Sequence, residues 1–201
     1  MIERAVIRPI QTAPPVPAWP EQGQWTYEDW LRQPDDGYRY EVLDGELYMT
    51  PPPTTDHQTA LGNLFAALLN FTRKQQLGRV FIAPCGVSLP GQPVPVQPDI
   101  FFVSRERKSI VDKEYVKGAP DLVAEVLSPS NWSYDRREKF RAYLAAGVPE
   151  YWIVDYRART VEVFHAEEGE YVLLGKYGPG EIARSVVLTG FDILTDDIFA
   201  E

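Results

Sequence analysis

The chain has 201 residues, 44% of them apolar and 12% aromatic, with a formal net charge of −9. That length suits one domain, that composition fills a core and excludes wholesale disorder, and that charge excludes a surface coated with phosphate-binding cations. The longest apolar run, residues 61–71, is too short to span a bilayer, and the single cysteine, Cys85, excludes an internal disulfide and a thiolate zinc site and points to a reducing, cytoplasmic setting.

Residues 1–23 read as a proline-rich, extended arm without the apolar core of a secretory leader, and a single domain is expected over 24–201. "TYEDWL" opens a short helix, with Thr26 and Asp29 at capping-box spacing. "YRYEVLDGELYMT" alternates about Asp44-Gly45, a strong hairpin signal. From Asp56 to Gln75 the apolar residues Leu61, Leu64, Phe65, Leu68, Leu69 and Phe71 recur at helical spacing, with Gly78 as the expected stop. Two extended segments follow, "RVFIAPCGVSLP" and "VPVQPDIFFVS", then a polar, irregular stretch from Arg105 to Lys117. "DLVAEVLS" is a strand and "SPSNWS" a turn, after which Ser133 is placed to cap a helix from Tyr134 to Ala146, stopped by Gly147. "EYWIVDY", "TVEVFHA" and "EYVLLGKY" are three further strands, the last two joined by a hairpin, and a short acidic tail with aromatic anchors closes the chain. This order predicts an α/β fold, a mixed sheet flanked by helices, with an added N-terminal hairpin and C-terminal antiparallel strands. The passage from "DLVAEVLS" through a helix to "EYWIVDY" pairs those two strands in parallel.

One feature of these strands is chemically costly. Glu125 interrupts the apolar run of Leu122, Val123, Ala124, Val126 and Leu127, sharing a face with Asp121, Val123 and Leu127. A carboxylate in a dry interior neutralises, finds a cation, or binds a metal. Asp99 opens another apolar strand directly after Pro98. Two such acids on neighbouring strands can share a hard cation, and magnesium needs only one or two carboxylates with a carbonyl and waters. Lys139, four residues after Asp135 and four before Tyr143, is placed to return its ammonium to the strand end. Residues 104–141 hold nine Lys/Arg and seven Asp/Glu, so any nucleic-acid contact would be local to this middle stretch.

Pro98-Asp99, followed after 26 residues by Glu125-Val126-Leu127, resembles the PD-(D/E)XK nuclease superfamily. "YEVLDGELYMTPPP", the His57-Gln58 helix start, "VQPDIFFV", "PDLVAEVLSPS" and "DRREKFRAYLAAGVPEYWIVD" are together similar to the Uma family of small bacterial restriction endonucleases. The resemblance implies a restriction-endonuclease-like fold and hydrolysis of DNA phosphodiester bonds by water activated on magnesium, with manganese as a substitute, leaving a 5′-phosphate and a 3′-hydroxyl. By the same resemblance, Asp99 and Glu125 are metal carboxylates, the Val126 carbonyl is a third ligand, Glu41 is an extra catalytic carboxylate with Glu46 as its competitor, and His57 stands at the rim. The superfamily's lysine two residues after the glutamate is Leu127 here, and the resemblance moves that role to Lys139, as stabiliser of the transition state. A homodimer, one active site per DNA strand, follows from the cleavage geometry of related nucleases.

Two other readings stand beside this one: a catalytically inactive nuclease scaffold that binds nucleic acid or protein, and a structural ion-pair cluster around Glu125. Trp25, Trp30, Trp132 and Trp152 read as core or interface, Cys85 as an inert small residue, and "GKYGPG" as a turn. No GxSxG, HExxH or paired CxxC motif is present.

Overall fold

The computed structural model describes residues 19–128 and 133–200. Most of the expected arm (1–18), Trp132 with most of the "SPSNWS" turn (129–132), and Glu201 lie outside the described residues. The described end of the arm is tied to the domain: Trp19 stacks on Trp25 at 5.6 Å, and the Gln22 side chain exchanges two hydrogen bonds with the Leu47 backbone.

Helix α1 (Tyr27–Leu31) starts on the expected capping box: the Thr26 hydroxyl accepts from Asp29 N, and the Asp29 carboxylate accepts from Thr26 N. Strands β1 (Arg39–Leu43) and β2 (Glu46–Thr50) pair antiparallel about Asp44 and Gly45, whose φ values of 52° and 77° are those a two-residue hairpin turn demands. Helix α2 (Thr55–Gln75) is N-capped by Thr54 and ends on Gln76, left-handed at φ 55°. The expected stop at Gly78 is therefore corrected by two residues. Gly78 serves a different purpose: it opens β3 (Gly78–Ile82) so close to its neighbour that a Cβ there would lie 2.2 Å from the Val103 carbonyl oxygen. Gly78→Ala is expected to lower the unfolding free energy by at least about 2 kcal/mol, seen as an earlier midpoint in urea.

The two long extended segments are shorter in the fold than their sequence suggests. After β3 the chain makes a brief β4 (Gly86–Ser88) and then β5 (Ile100–Ser104). The stretch expected to be irregular holds a 3₁₀ turn, Arg105–Ile110, and β6 (Tyr115–Lys117), which pairs in parallel with β4. Then come β7 (Leu122–Val126), a helical passage ending in α3 (Phe140–Ala146), β8 (Glu150–Asp155), β9 (Thr160–Glu167) and β10 (Glu170–Tyr177). The acidic tail is structured: β11 (Ile182–Arg184), β12 (Asp192–Leu194) and α4 (Thr195–Ile198).

Six strands form the central mixed sheet in the order β10-β9-β8-β7-β5-β3, with β7 and β8 parallel, as the crossover requires, and the rest antiparallel. The two faces bury different layers. Leu122, Ala124 and Val126 pack with Leu61, Leu64 and Leu68 of α2, while Val123 and Leu127 pack with Tyr143, Tyr151 and Ile153 on the α3 side. Trp152 and Trp25 are buried and Trp30 packs beside Trp25. Among the described residues, no helix is long and apolar enough to cross a membrane.

The entry to α3 departs from expectation. Ser133 is in the αR region and makes no capping bond, and Tyr134–Lys139 is a π-helix. Its wider turn brings Tyr134, Asp135 and Lys139 to the interior together, with the Lys139 ammonium 5.2 Å from the centre of the Tyr134 ring. Five-residue spacing is invisible to a search for 3.6-residue periodicity, which is why an ordinary capped helix is expected there.

Candidate active site

The register of β5 against β7 pairs Ile100 with Ala124, which sets Asp99 beside Glu125. Each acid holds the backbone of the facing strand: Asp99 N donates to Glu125 Oε2 at 3.3 Å, and Val126 N donates to Asp99 Oδ2 at 3.0 Å. On its other oxygen, Glu125 Oε1 accepts from Lys139 Nζ at 3.0 Å and from the Tyr143 hydroxyl at 2.6 Å. Lys139 also lies 3.4 Å from Glu41 Oε2 and 3.5 Å from Asp135 Oδ1. Its side chain is 0% exposed, and its pairing with Asp135 lies inside the protein.

Glu41 reaches this cluster because Arg39 and Glu41 share one face of β1, while Val42 on the other face packs with Trp25 and Val94, and Glu41 Oε1 accepts from Gln97 N at 3.0 Å. Glu46 does not join it; it is exposed at the hairpin and accepts from the Tyr48 hydroxyl. Arg39 is 3.1 Å from Asp99 Oδ1 and 3.8 Å from Glu41 Oε2. His57, on the first turn of α2, has Nε2 at 2.9 Å from the Val126 carbonyl oxygen and 3.5 Å from Asp99 Oδ2. Both neighbours are acceptors, so Nε2 carries the proton. The Val126 carbonyl, expected as a metal ligand, thus accepts a bond from His57.

A cleft of about 440 Å³ opens onto this cluster. Arg39, His57 and Asp99 line it, against an apolar wall of Pro51, Pro52, Pro53 and Pro84. Glu41, Glu125, Asp135 and Lys139 lie behind Asp99.

Four buried acids, Glu41, Asp99, Glu125 and Asp135, thus face two cations, Arg39 and Lys139, an excess of two acids. The strain of that surplus falls unequally. Burial pushes Asp135 up to about 7 against the pull of Lys139, and burial with the neighbouring acids raises Glu125 well above the carboxylate range. Asp99 goes the other way: burial opposes its ionisation, but His57, Arg39 and Lys139 outweigh it and hold it well below the usual range. Lys139 remains charged because Glu125, Glu41 and Asp135 overcome its desolvation. Two buried oxygens, Glu41 Oε2 and Asp135 Oδ1, have no hydrogen-bond donor.

Among the described residues, no three His, Cys, Asp or Glu side chains are arranged as a ready-made metal cage. The donor set fits a hard divalent cation by ligand type, and by charge once all four acids are ionised, since the excess of two then equals the charge of one such ion.

Another buried acid separates structural burial from site chemistry. Glu150, 0% exposed, accepts from the Trp152 indole at 2.6 Å and from Val186 N and Val187 N at 2.8 Å each. Its donors are neutral and it belongs to no cluster. Glu150→Ala strands three donors and is expected to cost about 2–4 kcal/mol in urea denaturation.

The model of the Uma2 family, described as "Putative restriction endonuclease", matches residues 26–196. The chain belongs to the Uma2 family. Its membership agrees with the motifs around Asp99, Glu125 and Lys139. Among solved structures, a protein described as "a putative nuclease belonging to DUF820" from Anabaena variabilis ATCC 29413 is similar over 87% of this Uma2 chain and 97% of its own, with 19% identity and a TM-score of 0.69. That likeness establishes a shared fold. The type IIG restriction endonuclease BpuSI also matches, over 71% of this chain and 15% of its own at 16% identity, with a TM-score of 0.38. No curated protein matches the chain significantly.

Within this Uma2 fold, Arg39, Asp135 and Tyr143 are members of the cluster that sequence reasoning did not select for the site. Two signals pointed to them: Arg39 is two residues from Glu41 on one strand, and Asp135 and Tyr143 each lie four residues from Lys139.

Proposed function

We propose that this Uma2 protein is a divalent-metal-dependent endonuclease that hydrolyses DNA phosphodiester bonds at the cleft beside Asp99. The observation that carries this reading is the surplus of two buried carboxylates around Asp99 and Glu125, in a family described as restriction endonucleases. Asp99, Glu125 and the Val126 carbonyl would hold magnesium or manganese. The ion supplies Lewis-acid activation of the phosphodiester and of the attacking water.

The chain's own residues divide the remaining work. Lys139 donates to Glu125 Oε1, which leaves Oε2 turned toward Asp99. Tyr143 fixes the same oxygen from the other side. His57 holds the Val126 carbonyl in place. Of the two cations, Arg39 is the one that reaches the cleft, its side chain 24% exposed, so Arg39 contacts the phosphoryl oxygens. Lys139 assists the transition state through its field and through the alignment of Glu125. The prolines supply an apolar wall for the cleft. We place this activity in the cytoplasm and in a homodimer, whose candidate contact is the β10 edge with Val172, Leu173 and Leu174 exposed.

Two observations favour the inactive scaffold: Lys139 is already committed to three carboxylates, and Leu127, where the superfamily carries a lysine, is buried. Incubating supercoiled and linear DNA with the protein over a magnesium or manganese titration separates the two. The expected result is metal-dependent nicking or cutting that Asp99→Asn reduces by at least about 100-fold. Absence of cleavage of every DNA form at every metal concentration sinks the nuclease and leaves the scaffold.

A further inference from the structure

The far end of α2 carries a second cavity, about 370 Å³ in volume, whose wall includes Arg73, Arg79, Arg105 and Lys108 and no acidic residue. It forms where the last turn of α2 meets the start of β3, the end of β5 and the 3₁₀ turn that follows. Among the described residues, Arg73, Arg105 and Lys108 make no ion pair, and Arg79 lies over the Phe81 ring at 4.8 Å. The neighbouring Arg107, outside the cavity, is by contrast paired with Asp121 at 3.0 Å. Four like charges around one opening repel each other, and a bound polyanion relieves that repulsion.

The charge pattern of the chain extends this cavity toward the cleft. Residues 57–98 contain no aspartate or glutamate, although the chain has 29 acidic residues. That span includes α2 from His57 onward and all of β3. His57, Gln58 and Leu61 line the cleft, and Thr72, Arg73 and Gln76 line the second cavity. Each pair is separated by fifteen residues, which amounts to an offset of about 60° around the helix and about 23 Å along it. Both openings therefore lie on one flank of α2, whose residues from His57 onward carry no negative side chain in a protein of net charge −9.

We propose that this second cavity is a phosphate-binding site, occupied by the DNA backbone about 7 base pairs from the phosphate in the cleft. The identity of the occupant rests on the nuclease reading; the anion site itself rests on the unpaired cations. It explains how an acidic protein holds a polyanion: one local anchor replaces a general positive surface.

The test uses fluorescein-labelled duplexes of about 6 and about 24 base pairs, titrated in EDTA so that nothing is cut. The wild-type protein, Asp99→Asn and the triple variant R73Q/R105Q/K108Q are compared, at several salt concentrations. The triple variant is expected to bind the long duplex at least about tenfold more weakly, with a salt slope smaller by about three. Its thermal midpoint should match the wild type, and the wild type should bind the long duplex more tightly than the short one. Unchanged affinity and salt slope on the long duplex overturn the proposal, as does poly-glutamate competing as well as DNA of equal charge, which would assign the cavity to an acidic protein. The same loss of binding in a protein that cuts no DNA supports the anchor and removes only the nuclease. Normal cutting with unaltered binding in the triple variant removes only the anchor.

Discussion

Lys139→Ala is expected to lower the unfolding free energy by about 3–5 kcal/mol at neutral pH, because removing one partner of a buried ion pair leaves uncompensated charge. Here the loss falls on three carboxylates at once, since Glu41, Glu125 and Asp135 all share the Lys139 ammonium. Lys139→Met, which keeps most of the volume, is expected to behave alike, identifying charge and not packing as the cause. The pH dependence has a defined sign. Asp135, ordinarily at 3.8, is pushed up to about 7 by burial. An acid raised on folding stabilises the fold below its unfolded pKa, and that stability is lost as pH climbs through the folded value. The wild type should therefore weaken between about pH 4 and about pH 7. Without Lys139, Asp135 and Glu125 rise further, so the variant should weaken more steeply and over a wider range. Urea denaturation at acid and at neutral pH reads this directly. A wild-type-to-variant gap of equal size at both would mean that Lys139 does not compensate these carboxylates.

Much of the frame that holds this cluster was legible in the sequence, because the signals were local. Asp44-Gly45 specifies its turn through two positive φ values, Thr26 and Asp29 close a capping box within four residues, and the alternation through Leu122–Val126 assigns each side chain a face. Asp99 and Glu125 stood out because carboxylates interrupt otherwise apolar strands, and the register of β5 on β7 does bring them together. What stayed hidden depends on longer reach. Gln76 ends α2 in place of Gly78 because Gly78 is required two residues later, where the Val103 carbonyl leaves no room for a side chain. Arg39 lies sixty residues from Asp99, and nothing local announces their contact. The burial of Lys139 follows from a π-helical turn, and an i,i+4 spacing to Asp135 is equally what an exposed helix pair displays.

Glu125→Gln separates chemistry from architecture. Cleavage is expected to fall at least about 1,000-fold, since the variant removes the anionic oxygen that would hold the ion and the charge that would activate it. Stability should barely move, within about 1 kcal/mol of wild type, because two effects oppose each other. The neutral amide no longer incurs the cost of burying a carboxylate among Glu41, Asp99 and Asp135, a cost expressed in its raised pKa. Against this, the amide can present its carbonyl oxygen to Lys139 and Tyr143 only by turning its NH₂ toward Asp99 N, which then loses its acceptor. Isothermal calorimetry with manganese, together with a supercoiled-plasmid assay and urea denaturation, measures all three quantities on one preparation. Lost cutting and lost metal uptake at unaltered stability mark Glu125 as a functional acid retained against its own burial cost. A large loss of stability with metal uptake intact would instead make Glu125 the keystone of an ion-pair cluster, and the catalytic assignment would fall with it.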